Sequence, residues 1–127
     1  MPLVRIDLAR GKPAQYRKTV GEIVYEAMRE TIAVPLDDKF QVITEHAPEE
    51  LNISAGYLGS TYSADIIIIQ MTISIGRTVE KKQALFKRIV EELHRKLGVR
   101  PDDVMINIVE TTKENWSFGK GIAQYVT

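Results

Sequence analysis

The chain has 127 residues, 44% of them apolar, which suits one globular domain with a modest core and leaves too little for a second. Lys and Arg total 17 and Asp and Glu total 17, so the formal charge is zero and the basic excess needed to grip nucleic-acid phosphates is absent. There is no cysteine to form disulfides, zinc ribbons or a thiol nucleophile, and the longest strictly apolar run, Ile66 to Ile69, is far too short for a membrane span.

In chain order, Leu3 to Ala9 has strand character and Gly11 ends it. Pro13 suits the first turn of a helix, where its missing N–H costs nothing. Tyr16, Val20, Ile23, Val24, Ala27 and Met28 recur at helical spacing and make one apolar stripe. Pro35 is expected to stop that helix, and Phe40 to Glu45 reads as a second strand. His46 to Ala64, rich in Gly, Ser, Asn and Tyr, reads as a long irregular loop or hairpin. Asp65 to Ser74 is nearly continuously apolar, as in a strand covered on both faces. Gly76 breaks it, Thr78 is placed as an N-cap, and Ala84, Leu85, Ile89, Val90, Leu93 and Leu97 form a second helical stripe that Gly98 ends. Val104 to Val109 is the closing strand, and a Gly-rich tail carrying Trp116 and Phe118 ends in a short strand candidate, Ile122 to Thr127.

Set against itself at a shift of 65, the sequence repeats. Val4, Ile6 and Leu8 fall on Ile69, Met71 and Ile73; Gly11 falls on Gly76; Val20, Val24, Met28 and Ile32 fall on Leu85, Ile89, Leu93 and Leu97; Asp37-Asp38 falls on Asp102-Asp103. Two copies of a β-α-β unit, over about residues 2–45 and 66–110 with a tail at 111–127, are therefore expected in one domain spanning 1–127. The fold class is α+β, a two-layer sandwich in which a four-stranded sheet carries both helices on one face. The other face would then present apolar side chains to be covered by further subunits. The opening segment turns polar too soon for a secretory leader, and a soluble cytoplasmic protein is the expectation.

Three residues could carry chemistry, each with a structural reading beside the functional one. Loss of Met1 would turn the Pro2 nitrogen into a secondary amine, held by the strand that follows and titrating near working pH; with Met1 attached it is a tertiary amide and neither acid nor base. Arg77, at the start of the second helix, is either a solvated surface residue or half of an anion site, since the helix dipole disfavours a lone cation there. Asp38 and its repeat partner Asp103 read as turn aspartates bonded to their own backbone, although Asp38 could also serve as an acidic neighbour. Trp116, Phe118 and Tyr125 are tail packing or a pocket wall. His46 reads as a structural hydrogen-bonder and His94 as a solvated helix residue; neither stands at metal-ligand spacing, so no metal is expected.

Taken together, Pro2-Leu3-Val4-Arg5-Ile6-Asp7-Leu8, Asp37-Asp38-Lys39-Phe40-Gln41, Thr44-Glu45-His46, Gly76-Arg77-Thr78, Trp116-Ser117-Phe118-Gly119-Lys120-Gly121 and Ala123-Gln124-Tyr125-Val126-Thr127 resemble the tautomerase superfamily, and within it the malonate semialdehyde decarboxylase branch. The resemblance implies the tautomerase fold, a homotrimer and no cofactor. It makes Pro2 the catalytic proline, Asp38 the aspartate beside its amine and Arg77 the residue that binds the substrate carboxylate, with Trp116, Phe118 and Tyr125 as the pocket wall. The activity it implies is decarboxylation of a 3-oxo acid such as malonate semialdehyde, with hydratase side activity where Asp38 activates a water. The alternatives are a keto–enol tautomerase of 2-oxo acids such as phenylpyruvate, or a trimeric interaction protein that kept the scaffold without catalysis. The substrate is a small oxo acid, and neither nucleic acid nor membrane is an expected partner. One position departs from the pattern: where some of the branch carry a second arginine two residues before Arg77, this chain has Ile75.

Overall fold

The computed structural model describes residues 2–126; Met1 and Thr127 lie outside the described residues. The elements run β1 (Leu3–Ala9), α1 (Ala14–Ile32), β2 (Gln41–His46), β3 (Gly56–Tyr57), β4 (Ser60–Thr61), β5 (Ile67–Ser74), α2 (Val79–Leu97) and β6 (Val104–Thr111). The main sheet has the order β2-β1-β5-β6, while β3 and β4 form a small separate hairpin inside the long loop. β1 pairs in parallel with β2, and β5 with β6, as a strand–helix–strand crossover requires. The two halves meet antiparallel, with Leu3 opposite Thr72 and Leu8 opposite Ile67.

The sequence repeat is the symmetry of the molecule. Adding 65 to the bounds of α1 gives the bounds of α2. Gly11 and Gly76 both turn with positive φ, at 115° and 120°. The ion pair Arg17–Glu45 at 2.8 Å returns as Lys82–Glu110 at 2.9 Å. The antiparallel pair Arg5–Gln70 sits at the centre of the seam, where a two-fold axis relating the halves passes.

Alternation in the strands decides which face is buried. Val4, Ile6, Leu8, Ile67, Ile69, Met71 and Ile73 pack under Val20, Ile23, Val24, Ala27 and Met28 of α1 and Leu85, Ile89 and Leu93 of α2, so both helices cover one face. Burying each of these side chains other than Ala27 stabilises the fold by about 1.5–3 kcal/mol relative to exposure. The apolar run of β5 is not covered on both sides: Ile68, Gln70, Thr72 and Ser74 face away from the helices and are half-buried or exposed. The open face is also less apolar than expected. It mixes Leu3, Val42, Ile68, Met105 and Val109 with Arg5, Asp7, Thr44, Gln70 and Asn107. On it, His46 Nε2–H donates to the Asp7 carboxylate at 2.6 Å, which gives His46 its structural bond.

Several boundaries differ from the sequence expectation for local reasons. Pro13 is the N-cap of α1 and not a residue of its first turn. Ala33, in the left-handed region at φ 57°, ends α1 before Pro35 is reached, while Gly98 at φ 67° ends α2 as expected. β2 is shifted by one residue, β5 starts at Ile67, and β6 runs on to Thr111 because it pairs along the whole of β5. Ala84 of the second stripe is exposed. His94, although exposed, is not simply solvated: its Nδ1–H donates to the Val99 carbonyl at 3.1 Å across the helix end. Gln124–Val126 is a single 3-10 turn where a strand was expected.

The two helix ends make a comparison the repeat itself supplies. Alanine in the left-handed region costs about 1–2 kcal/mol that glycine avoids, less the entropy glycine loses on folding. Ala33→Gly is expected to stabilise the protein by about 0.5–1 kcal/mol and Gly98→Ala to destabilise it by about 1 kcal/mol, read from urea unfolding midpoints.

Candidate active site

Pro2 is buried and stands one residue before β1. The β1–β5 ladder ends at Leu3–Thr72, and the Val4 N–H donates to the Phe40 carbonyl at 2.9 Å, ahead of the first β1–β2 pair, Val4–Gln41. Extending both registers puts Pro2 level with Lys39 on one side and Ile73 on the other. The start of the chain is thus clamped between the entry to β2, which carries Asp38, and the exit of β5, which leads through Gly76 to Arg77.

Asp38 is half-buried in the turn that follows α1, with its N–H donating to the Pro35 carbonyl at 3.3 Å. Among the described residues its carboxylate makes no hydrogen bond, so the turn-aspartate reading fails for the side chain. It fails for Asp103 too. That side chain is 1% exposed and accepts from Ser63 Oγ at 2.5 Å, the Ser63 N–H at 2.8 Å and Arg100 Nη1 at 3.2 Å. Asp103 therefore clasps the long loop to the start of β6. Burial pushes its carboxyl up, and the Ser63 bonds with the Arg100 charge outweigh that and hold it below the usual carboxylate range.

Arg77 is half-buried, anchored by one guanidinium bond, Nη1 to the Ser74 carbonyl at 3.0 Å, beside the N-terminus of α2. Thr78 caps that helix by accepting the Lys81 N–H at 3.2 Å. A fixed guanidinium at a helix N-terminus is a place for a carboxylate.

The tail carries the three aromatic residues. Trp116 and Phe118 stack with centroids 5.5 Å apart, and Phe118 meets Tyr125 edge-on at 4.9 Å. Gln124 ties the turn together: its Oε1 accepts the Phe118 N–H at 2.9 Å and its Nε2 donates to the Gly119 carbonyl at 3.0 Å. The Tyr125 hydroxyl is pushed above its ordinary value first by burial and then by the Asp38 charge, with Arg77 opposing. The two charges therefore act on that one hydroxyl in opposite directions. A cavity of about 260 Å³ is lined by Leu3, Phe40, Trp116, Ser117 and Phe118, against the residues flanking Pro2.

Sequence reasoning passed over Leu3, Phe40 and Thr111. Leu3 and Phe40 are large apolar residues at 37% and 46% exposure at strand ends, a position where strand periodicity does not mark them out. Thr111 Oγ1 accepts the indole N–H of Trp116 at 2.7 Å and so sets the angle of the wall. Thr111→Val is expected to blue-shift the emission of this lone tryptophan and to raise the KM for substrate several-fold, since the indole N–H loses its acceptor and the wall loses the bond that sets its angle. The cavity under the long loop, about 290 Å³ and lined by Ala9, Leu51, Ile53, Tyr62 and Ile66 among others, bears no charged residue and lies at the other end of β1, about 20 Å from Pro2.

Comparison with known proteins identifies the family and the fold. Residues 38–119 match the Tautomerase_2 family model and residues 2–57 the Tautomerase family model, both described as tautomerase enzyme. The chain is 36% identical over 126 residues to the probable tautomerase YusQ of Bacillus subtilis (strain 168), covering 99% of each chain. Its fold superposes with TM-score 0.89 and 39% identity on FG41 malonate semialdehyde decarboxylase inhibited by 3-bromopropiolate, covering 98% of this chain and 94% of that one. A fused 4-OT wild-type symmetric trimer has the same fold, with TM-score 0.79 and 22% identity over 98% of both chains. With a family match across well over half its length and a relative aligned nearly end to end, this chain is a member of the tautomerase family.

Proposed function

We propose that the mature chain begins at Pro2 and forms one tautomerase-like domain that decarboxylates a small 3-oxo acid such as malonate semialdehyde. The observation that carries this reading is the burial of Pro2 at the start of β1, held by strand register between the segment that carries Asp38 and the end of β5 that leads to Arg77. The 39% identity to a malonate semialdehyde decarboxylase supports it.

The chemistry follows from the charges. The substrate carboxylate lies against Arg77. The Pro2 amine, kept protonated by the nearby Asp38 carboxylate, donates to the carbonyl oxygen. As the bond between the carboxylate carbon and C2 breaks, its electron pair moves toward that carbonyl, where the cation stabilises the developing negative charge. Carbon dioxide leaves, the resulting enol takes a proton at carbon, and the aldehyde forms. The electron sink is the substrate's own carbonyl, so the scheme uses no cofactor. Trp116, Phe118 and Tyr125 wall the site, and Asp38 activating a water would give hydratase side activity.

A homotrimer fits the half-apolar open face of the sheet and the trimeric assembly of the fused 4-OT neighbour. The relative named a probable tautomerase favours a second reading, in which a neutral Pro2 removes a proton beside a carbonyl. Intact mass of the natively expressed protein, then turnover of malonate semialdehyde against phenylenolpyruvate, tests the choice. Loss of Met1 with aldehyde formation is the expected result. Enol turnover without carbon dioxide release would assign the tautomerase, and retained Met1 with neither activity would leave a non-catalytic scaffold.

A further inference from the structure

A second cavity adjoins the proposed site and has no role in it. It holds about 410 Å³ and is lined by Ser74, Ile75, Thr111, Thr112, Lys113, Glu114 and Val126. Its position is fixed by bonds to site residues: the Ser74 carbonyl holds Arg77, Thr111 Oγ1 holds Trp116, and Val126 follows Tyr125. The Ile75 N–H donates to the Thr111 carbonyl at 3.0 Å, which pins the Ile75 backbone while its side chain stays 58% exposed. The cavity's one cation, Lys113, is matched by one anion, Glu114, and the isoleucine and valine side chains with three threonine and serine side chains make up the rest.

Malonate semialdehyde leaves this space empty. Its six heavy atoms are accounted for by Arg77, Pro2 and the aromatic wall. Ile75, two residues from Arg77, has an apolar side chain with no donor for an anion, and with Val126 it forms the hydrophobic part of the cavity lining. It would cover an aliphatic chain, and it could offer nothing to a second carboxylate.

Resting on the decarboxylase reading above, we propose that the substrate class is a 3-oxo acid with an aliphatic extension, and that Ile75 is the specificity-determining residue that favours that chain over a second carboxylate. Each methylene buried against Ile75 and Val126 is worth roughly a fourfold gain in binding until the cavity is full.

The test does not depend on turnover. Calorimetric binding of straight-chain alkanoates from propanoate to octanoate, and of glutarate, is measured on the wild-type protein and on Ile75→Arg. Circular dichroism checks that the variant is folded, and Ile75→Gln serves as a second, neutral variant. The expected result is affinity rising severalfold per methylene in wild type, a flattened series in both variants, and glutarate gaining about tenfold or more in Ile75→Arg. A flat series in wild type, no binding of any alkanoate, or a slope that both variants leave unchanged would overturn the proposal. Decarboxylation is assayed in parallel on 3-oxohexanoate and malonate semialdehyde. A binding slope without carbon dioxide release from either would refute the reaction and uphold the subsite, whereas release from malonate semialdehyde with a flat slope would do the reverse.

Discussion

Pro2→Ala, made in protein freed of Met1, is expected to lower kcat for 3-oxo acid decarboxylation about 10²-fold or more, with KM changed only a few-fold. Positioned general acids contribute about 10²- to 10⁴-fold, and this one acts in the transition state and hardly in binding. Alanine keeps an amine but loses the ring that continues β1 and fixes the nitrogen at the sheet edge. Asp38→Asn should act differently, because a carboxylate near an ammonium favours the protonated form and the amide does not. The amine of the variant then loses its proton at lower pH, so the alkaline limb of the pH–rate profile moves toward acid and part of the activity returns on acidification. Arg77→Ala should raise KM about 10²-fold through the lost carboxylate bonds. Turnover in Pro2→Ala within a few-fold of wild type, measured by acetaldehyde release, would end the general-acid assignment.

Asp103→Ala is expected to destabilise the fold by about 3 kcal/mol, lowering Tm by roughly 10 °C. The carboxylate is buried and holds Ser63 through two bonds and Arg100 through a third, so its removal strands the Ser63 groups and releases the loop. The same clasp makes stability pH-dependent, and the sign follows from its lowered carboxyl. Above the ordinary carboxylate range Asp103 is charged in both folded and unfolded chains, and its full contribution is present. As pH falls through that range the unfolded chain binds the proton first, and the contribution is lost as pH reaches the folded-state value. Glu92 adds to the same acid sensitivity: the Arg95 guanidinium, at 2.7 and 2.8 Å, with Arg88 and Lys96, brings its carboxyl down to about 2. Asp103→Asn should flatten the acid limb of a Tm-against-pH curve relative to wild type. An unchanged limb would show that the clasp is not the acid-labile element.

Much of this architecture could be read from residue order because it rests on local periodicity. The stripes of Val20, Val24 and Met28 and of Leu85, Ile89 and Leu93 are written at 3.6-residue spacing, and their repetition at 65 residues announces both β-α-β units. Pro2 and Arg77 could be singled out by position, at the chain start and at a helix N-terminus, whereas Asp38 reads as an ordinary turn aspartate and takes its role from the resemblance. What alternation left undetermined was the occupancy of the two sheet faces, since a run such as Ile66 to Ile69 looks the same whether one face or both are covered.

The chain by itself determined the strands and helices of its two β-α-β units, its internal symmetry and the residue types available for chemistry. Only the tertiary structure decided that the Asp38 and Arg77 charges both act on the Tyr125 hydroxyl, that Asp103 is a buried clasp and not a second Asp38, and that Ile75 opens onto a cavity. The reason is separation along the chain: Asp38 and Tyr125 lie 87 positions apart, and whether their charges and dipoles meet depends on strand register and on how the tail folds back. Residue order records periodicity within an element, whereas contact between distant elements is fixed when the whole sheet closes.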